Sequence, residues 1–344
     1  MPNRPEPPEV PPSPVPPATP GPLVAIGGAE DKLGRRTVLD HFVRLAGGRD
    51  ATIAVVPTAS ALGPEIIEVY DAAFRKLGVR DVVPLRPESR VEADDPDLVS
   101  RLGPDSGVTG IFMTGGNQLK LSAIGNGTAF GEAVKAAHRR GVVVGGTSAG
   151  ASILSSHMVA FGTGGSTPKQ RMTQLAAGLG LVRDVVIDQH FGQRNRYGRL
   201  LMLVAQSPGL LGIGVDEDTG AVLTEEDGAE ILRVVGRGVV TLFDGRKVVS
   251  NAHEARRTAP LLASGVVLHV LPAGSVFDIT TKELVQETDV DAAQARELAV
   301  AGRDLKRLAR DIAAGDISPS VLRRRRARQR GGPDHGTSEG GVHE

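Results

Sequence analysis

The chain has 344 residues, no cysteine and no tryptophan, and equal numbers of acidic and basic side chains. Disulfides, thiolate catalysis and cysteine-based metal sites are therefore excluded. The zero formal charge gives the main body no electrostatic case for a nucleic-acid or membrane-surface partner. The opening MPNRPEPPEVPPSPVPPATPGP (1–22) is dense in proline, lacks an apolar leader core and reads as an extended tail. No run is long and apolar enough to cross a bilayer, which makes a cytoplasmic location the default expectation.

Order is expected from Leu23. LVAIGG (23–28) is an apolar run ending in glycines, a strand and a turn, and ATIAVVPTAS (51–60) repeats the pattern. PEIIEVYDAAFRKLG (64–78) has helical spacing and closes on Gly78. DVVPL (81–85) is a strand, GIFMTGGN (110–117) a strand entering a Gly-rich corner, and AFGEAVKAAHRRG (129–141) an amphipathic helix. VVVGG (142–146) follows as a buried strand. Strands alternating with helices predict an α/β fold, with a mostly parallel sheet covered on both faces. Ligands then bind beyond the carboxyl ends of the strands, where Gly-rich corners at 27–28, 115–116 and 145–150 fall.

From about residue 212 the texture changes to short strands and tight turns, at 220–245 and 266–279, so an antiparallel β addition is expected over 212–280. The segment 284–315 reads as helix, and RRRRARQR (323–330) lies in a basic tail. The division expected is a tail over 1–22, one catalytic domain over 23–302 and a basic helical or disordered tail over 303–344.

The corner GGTSAG (145–150) fits G-x-S-x-G directly after a strand, the context of a nucleophile elbow. Gly146 and Gly150 allow a tight backbone, and Ser148 Oγ would project over the sheet edge with the Ala149 N–H aimed where an oxyanion forms. A plain Gly-rich turn with a helix-capping serine is the competing reading. A phosphate loop is disfavoured because no lysine follows.

A serine nucleophile needs a base. On a continuing helix, His157 would lie about 13 Å from Ser148 along the axis, too far to serve. His41 and His138 fall in helical segments and read as surface residues, and His253, His269, His335 and His343 lie in the β addition or the tail. His190 ends a buried strand in VVIDQHFGQRNRYGRL (185–200), and Arg194, Arg196 and Arg199 follow. Forked guanidiniums there suit carboxylate recognition. Asp188 is too near His190 to orient its ring and is expected to face substrate. GIGVDEDTG (212–220) offers Asp216, Glu217 and Asp218 as the orienting acid, without choosing among them. TGGNQ (114–118) supplies Gly116 N–H as the second oxyanion donor, with Gln118 within reach of substrate.

GGTSAGAS, MTGGNQ, DQHFGQRNRYGRLL and GIGVDEDT together resemble the cyanophycinases of the S51 serine peptidases, over about residues 27–279. The resemblance implies a fold related to class I glutamine amidotransferases (flavodoxin-like) and aspartyl dipeptidases, commonly as a homodimer. It implies a Ser148–His190–Glu217 triad and substrate contacts at Gln118, Asp188, Gln189, Arg194, Arg196 and Arg199. The implied substrate is cyanophycin, a poly-aspartate whose β-carboxyls each carry an arginine, cut to β-Asp-Arg dipeptides without metal or organic cofactor. An α-aspartyl dipeptidase, or a catalytically dead peptide-binding relative, is the alternative.

Overall fold

The structure, a computed structural model, describes residues 19–285. The first half of the chain alternates strands and helices: β1 (Leu23–Ile26), α1 (Thr37–Leu45), β2 (Thr52–Val56), α2 (Glu65–Lys76), β3 (Asp81–Pro84), α3 (Arg90–Ala93) and α4 (Pro96–Ser100). β4 (Gly110–Met113), α5 (Gln118–Gly125), α6 (Ala129–Arg139), β5 (Val143–Thr147) and the short α7 (Ala149–Ser152) follow. A ribbon of β6 (His157–Gly162) and β7 (Thr173–Ala177) leads to β8 (Val185–Gln189), α8 (Tyr197–Gln206) and β9 (Leu211–Val215). The remainder is β: β10 (Thr219–Glu226), β11 (Ala229–Gly236), β12 (Val239–Asp244), the two-residue pair β13 (Val249–Ser250) and β14 (Ala263–Ser264), β15 (Val267–Pro272), β16 (Val276–Asp278) and β17 (Glu283–Val285).

Among the described residues, nine strands form the main sheet in the order β17-β16-β11-β10-β1-β5-β4-β2-β3. Its core, β1, β5, β4, β2 and β3, is parallel. The side-chain alternation of a strand sends Val24 and Ile26 into one layer and Leu23 and Ala25 into the other. The first layer is aromatic: α1 and α2 bring Phe42, Tyr70 and Phe74 around Phe112, with centroids 5.0–5.3 Å from its ring. The second is mostly aliphatic and is closed by α6 and α7 through Val134, Ala149 and Ala151.

The parallel α/β reading and the antiparallel addition are both present, but the addition is divided. β10, β11, β16 and β17 extend the main sheet beyond β1, whereas β12 and β15 pair with β9 and β8 in a second sheet of order β15-β12-β9-β8. β8 and β9 run parallel to each other there. They cannot join the parallel core beside β1, because β10 already occupies its free edge, Leu23 opposite Leu223. Three smaller differences follow. α7 ends after one turn and the backbone turns into β6, so His157 opens a strand rather than continuing a helix. His138 is buried on α6 rather than exposed. Glu283–Val285 is a strand, so the helical expectation fails at residues 284 and 285; the rest of that segment, the basic run at 323–330 and the first 18 residues lie outside the described residues. Gly21 is already packed, its N–H bonded to the His138 carbonyl.

Candidate active site

Ser148 stands between β5 and α7 at φ 54°, ψ −108°, a conformation that costs a non-glycine residue on the order of 1–3 kcal/mol. Close packing imposes it. A Cβ on Gly150 would lie 2.1 Å from the Met113 carbonyl oxygen, so only glycine lets the α7 turn sit against β4. The Ser148 N–H is bonded to the Ile26 carbonyl, which fixes the corner to β1. The N–H of Ala149, first in the α7 turn, has no carbonyl four residues back within the helix to receive it.

His190 follows the last residue of β8, also at positive φ (48°), and its N–H is bonded to the Gly27 carbonyl at 2.7 Å. The Gly27–Gly28 corner thus joins the two sheets, since the Gly28 carbonyl accepts from Asp218 N–H at 2.9 Å. His190 Nε2 lies 3.1 Å from Ser148 Oγ and Nδ1 lies 2.8 Å from Glu217 Oε1. That pairing fixes Nδ1 as the donor to Glu217 and leaves Nε2 to accept from the serine hydroxyl. Burial pushes the imidazole below its ordinary value and the cations of Arg194 and Arg196 push the same way, while the hydrogen bond to Glu217 pulls it up.

The three consecutive acids separate cleanly in space. Asp216 accepts from the N–H of Gly192 at 2.9 Å and of Val239 at 3.4 Å, so it holds the turn after His190. Asp218 accepts from Asp31 N–H at 2.9 Å. Glu217 alone meets the imidazole, and its own N–H is bonded to Gln193 Oε1, a residue the sequence did not single out.

Beneath the corner lies a buried polar floor. Asp188 is fully buried, and its carboxylate is gripped by Arg199, through Nε at 2.6 Å and through Nη2, and by Arg196 Nη1 at 3.0 Å. Asp188 therefore faces these arginines rather than the open site, which differs from the sequence expectation. Arg199 is buried with it and also donates to the Gly162 carbonyl. Arg196, brought down to about 10 by burial, donates onward to Gln189 Oε1 at 2.9 Å, and that oxygen lies 3.4 Å from Ser148 Oγ. Gln118 turns its amide to the Val159 and Ala160 carbonyls, 2.5 and 2.9 Å away, and its Oε1 lies 3.5 Å from Gln189 Nε2. Arg194 is exposed, with no ion-pair partner among the described residues. No group of three or more His, Asp or Glu side chains among the described residues could hold a metal ion.

The family model of peptidase family S51 matches residues 23–232, the span that holds Ser148, His190 and Glu217. The chain belongs to peptidase family S51. This S51 peptidase is 41% identical to a cyanophycinase of Synechococcus elongatus over 77% of its own length and 81% of that protein. It is 37% identical to a cyanophycinase of Geminocystis herdmanii, over 76% and 94%. A crystal structure of a peptidase from an acI-B1 actinobacterium shares the fold, with a TM-score of 0.51 and 21% identity over 74% of this chain and 98% of that one. No helix among the described residues is long and apolar enough to cross a membrane.

The S51 peptidase also carries a cavity of about 350 Å3 whose lining includes Ser148, Gly115, Gly116, Glu30, Lys32 and Tyr70. Gly116, at φ 145°, packs so tightly on the Ala59 carbonyl that no side chain fits. Glu30 and Lys32 went unnoticed in the sequence. Their signal was GGAEDK (27–32), a charged run directly at the carboxyl end of a fully buried strand, where a solvated turn is the ordinary reading.

Proposed function

We propose that this peptidase hydrolyses cyanophycin to β-Asp-Arg dipeptides by serine acyl transfer, with Ser148 as nucleophile, His190 as base and Glu217 as its orienter. The observation that carries the reading is the unbroken series of hydrogen bonds from Glu217 through His190 to Ser148, ending at a serine on a strained turn. The cyanophycinases at 37–41% identity supply the substrate class.

The geometry supports the following chemistry. Neutral His190 takes the Ser148 proton at Nε2 as Oγ bonds to an aspartyl carbonyl carbon, and Glu217 stabilises the imidazolium. Negative charge collects on the former carbonyl oxygen, toward the N–H groups of Ala149 and Gly116. One such donor is worth about 10²–10³ in kcat. The C–N bond then breaks, and His190 returns its proton to the leaving amine. Water, deprotonated by His190, opens the acyl ester and restores the Ser148 hydroxyl.

Cyanophycin presents a free carboxylate on every pendant arginine. Exposed Arg194 suits one of these, and Arg196, Gln189 and Gln118 form a polar rim beside the nucleophile. Asp188 and Arg199 serve by holding that rim in place. The reading extends to a cytoplasmic homodimer, which light scattering on purified protein and cell fractionation test.

Purified protein incubated with cyanophycin, with and without Ser148→Ala, tests the proposal by mass spectrometry of the soluble products. Release of β-Asp-Arg by the unaltered protein alone is expected. A folded protein that releases nothing from the polymer but cleaves Asp-X dipeptides would overturn it in favour of an aspartyl dipeptidase.

A further inference from the structure

The triad and the polar floor leave one flank of Ser148 unaccounted for. There the cavity is lined by Leu62 and Ile66 and by Glu30, Lys32 and Tyr70. Gln118, Gln189 and the three arginines do not line it.

Glu30 is the fixed element. Its side chain is 1% exposed, and its carboxylate accepts from Tyr70 Oη at 2.6 Å, from Thr147 Oγ1 at 2.5 Å and from Lys32 Nζ at 2.8 Å. A carboxylate at this depth is tolerated only when satisfied in this way. Through Thr147 it also braces the residue preceding the nucleophile. Tyr70 contributes its ring as well as its hydroxyl, with Lys32 Nζ 5.2 Å from the centroid.

Lys32 differs from its neighbours because it is 25% exposed. Among the described residues, the only hydrogen-bond acceptors of its ammonium are Glu30 Oε1 and the Glu30 carbonyl, at 3.4 Å. An ammonium offers three N–H donors, so one remains for the cavity. The loop beneath it is preformed: the Asp31 carboxylate accepts from the N–H groups of Leu33, Gly34 and Arg36, and Asp31 N–H is tied to Asp218, next to Glu217. A cation held on a rigid turn, backed by a buried acid and fronted by a cavity shared with the nucleophile, is built to receive an anion.

We infer that Lys32 is a substrate-binding residue whose ammonium holds a substrate carboxylate in this cavity. The inference rests on the cyanophycin reading, in which two kinds of carboxylate are available, on the pendant arginines and at the carboxyl end of the poly-aspartate backbone. The apolar wall favours the first: the arginine methylenes lie along Leu62 and Ile66, and the arginyl α-carboxylate meets Lys32. Glu30 and Tyr70 act through Lys32 as positioning residues.

The experiment uses the full-length protein, Lys32→Met and Lys32→Gln, and three oligopeptides: (β-Asp-Arg)3, its analogue with agmatine in place of the arginines, and its C-terminal carboxamide. Folding of each variant is verified by thermal melting. On (β-Asp-Arg)3 both variants are expected to raise KM by about tenfold or more with kcat nearly unchanged, the loss of one charge-assisted contact. On the agmatine analogue the unaltered protein should show the same loss, and the variants should add nothing to it. The same non-additivity on the carboxamide would instead assign the backbone's carboxyl end to Lys32. Full additivity on both analogues, or an unchanged KM in both variants, overturns the inference. If the unaltered protein cleaves none of these peptides, the cyanophycin reading fails separately. Calorimetric titration with β-Asp-Arg then decides the role of Lys32, and equal affinity of unaltered and variant proteins overturns it.

Discussion

Gly28 lies against the imidazole of His190 so closely that a Cβ placed on it would stand 2.3 Å from Cε1 and 2.5 Å from Nε2, the atom that faces Ser148. Gly28 also sits at φ 99°, a region that suits glycine. Gly28→Ala is therefore expected to displace the ring. A shift of about 1 Å at a general base costs about 100-fold in kcat. Steady-state kinetics beside a thermal melt checks this: kcat should fall far more than the modest stability loss explains.

The division of labour among the three acids predicts divergent variants. Glu217→Gln should lower kcat by about 10³–10⁴, as expected when the group orienting a catalytic histidine loses its charge. Asp218→Asn and Asp216→Asn should retain most of kcat. Asp216→Asn is expected to lower the melting temperature, because its half-buried carboxylate caps Gly192 and Val239.

Arg194 and Asp188 should separate in the opposite sense. Asp188→Asn removes the charge between two buried guanidiniums, and breaking a buried pair in this way costs about 3–5 kcal/mol. Denaturant unfolding reads the loss directly. Arg194→Ala, at an exposed position, should change stability by less than about 0.5 kcal/mol. It should instead raise KM for cyanophycin oligomers.

The proposed mechanism requires neutral His190, whose folded value is depressed below the ordinary 6.5 by burial and the nearby cations. The acid limb of kcat/KM should therefore lie below pH 6.5. Arg194→Ala removes a cation and should move that limb upward; a downward shift would contradict the electrostatics. The sign for stability is the same: the unfolded polypeptide binds the proton more readily, so folded-state stability is lost as pH falls below 6.5.

Much of this was legible in the sequence. GTSAG and DQHFGQRNR marked Ser148 and His190, which the fold brings together, by local spacing, and the alternation of strands with helices predicted the parallel core. Three features were not legible, each because it depends on contacts distant in sequence. Asp216, Glu217 and Asp218 are interchangeable as letters and are sorted only by what faces them: Gly192 and Val239, His190, and Asp31. The strand 185–189 read as a member of the main sheet beside Ser148, and only the pairing of β10 with β1 shows why it must join β9 in another. Asp188, the arginines and the glutamines all read as substrate contacts. Burial divides them, sending Asp188 and Arg199 inward and leaving Arg194 in solvent.

The junction at Gly27–Gly28 has a consequence for the timing of synthesis. Ser148 grows from the nine-stranded sheet, while His190 and Glu217 stand at the ends of strands in the other, which the later β12 must pair to complete. A polypeptide still leaving the ribosome displays its serine long before the partner groups exist, and that serine is an ordinary alcohol. On the proposed mechanism hydrolytic power arrives only when the second sheet docks, a built-in safety catch that would leave half-made or half-unfolded copies inert.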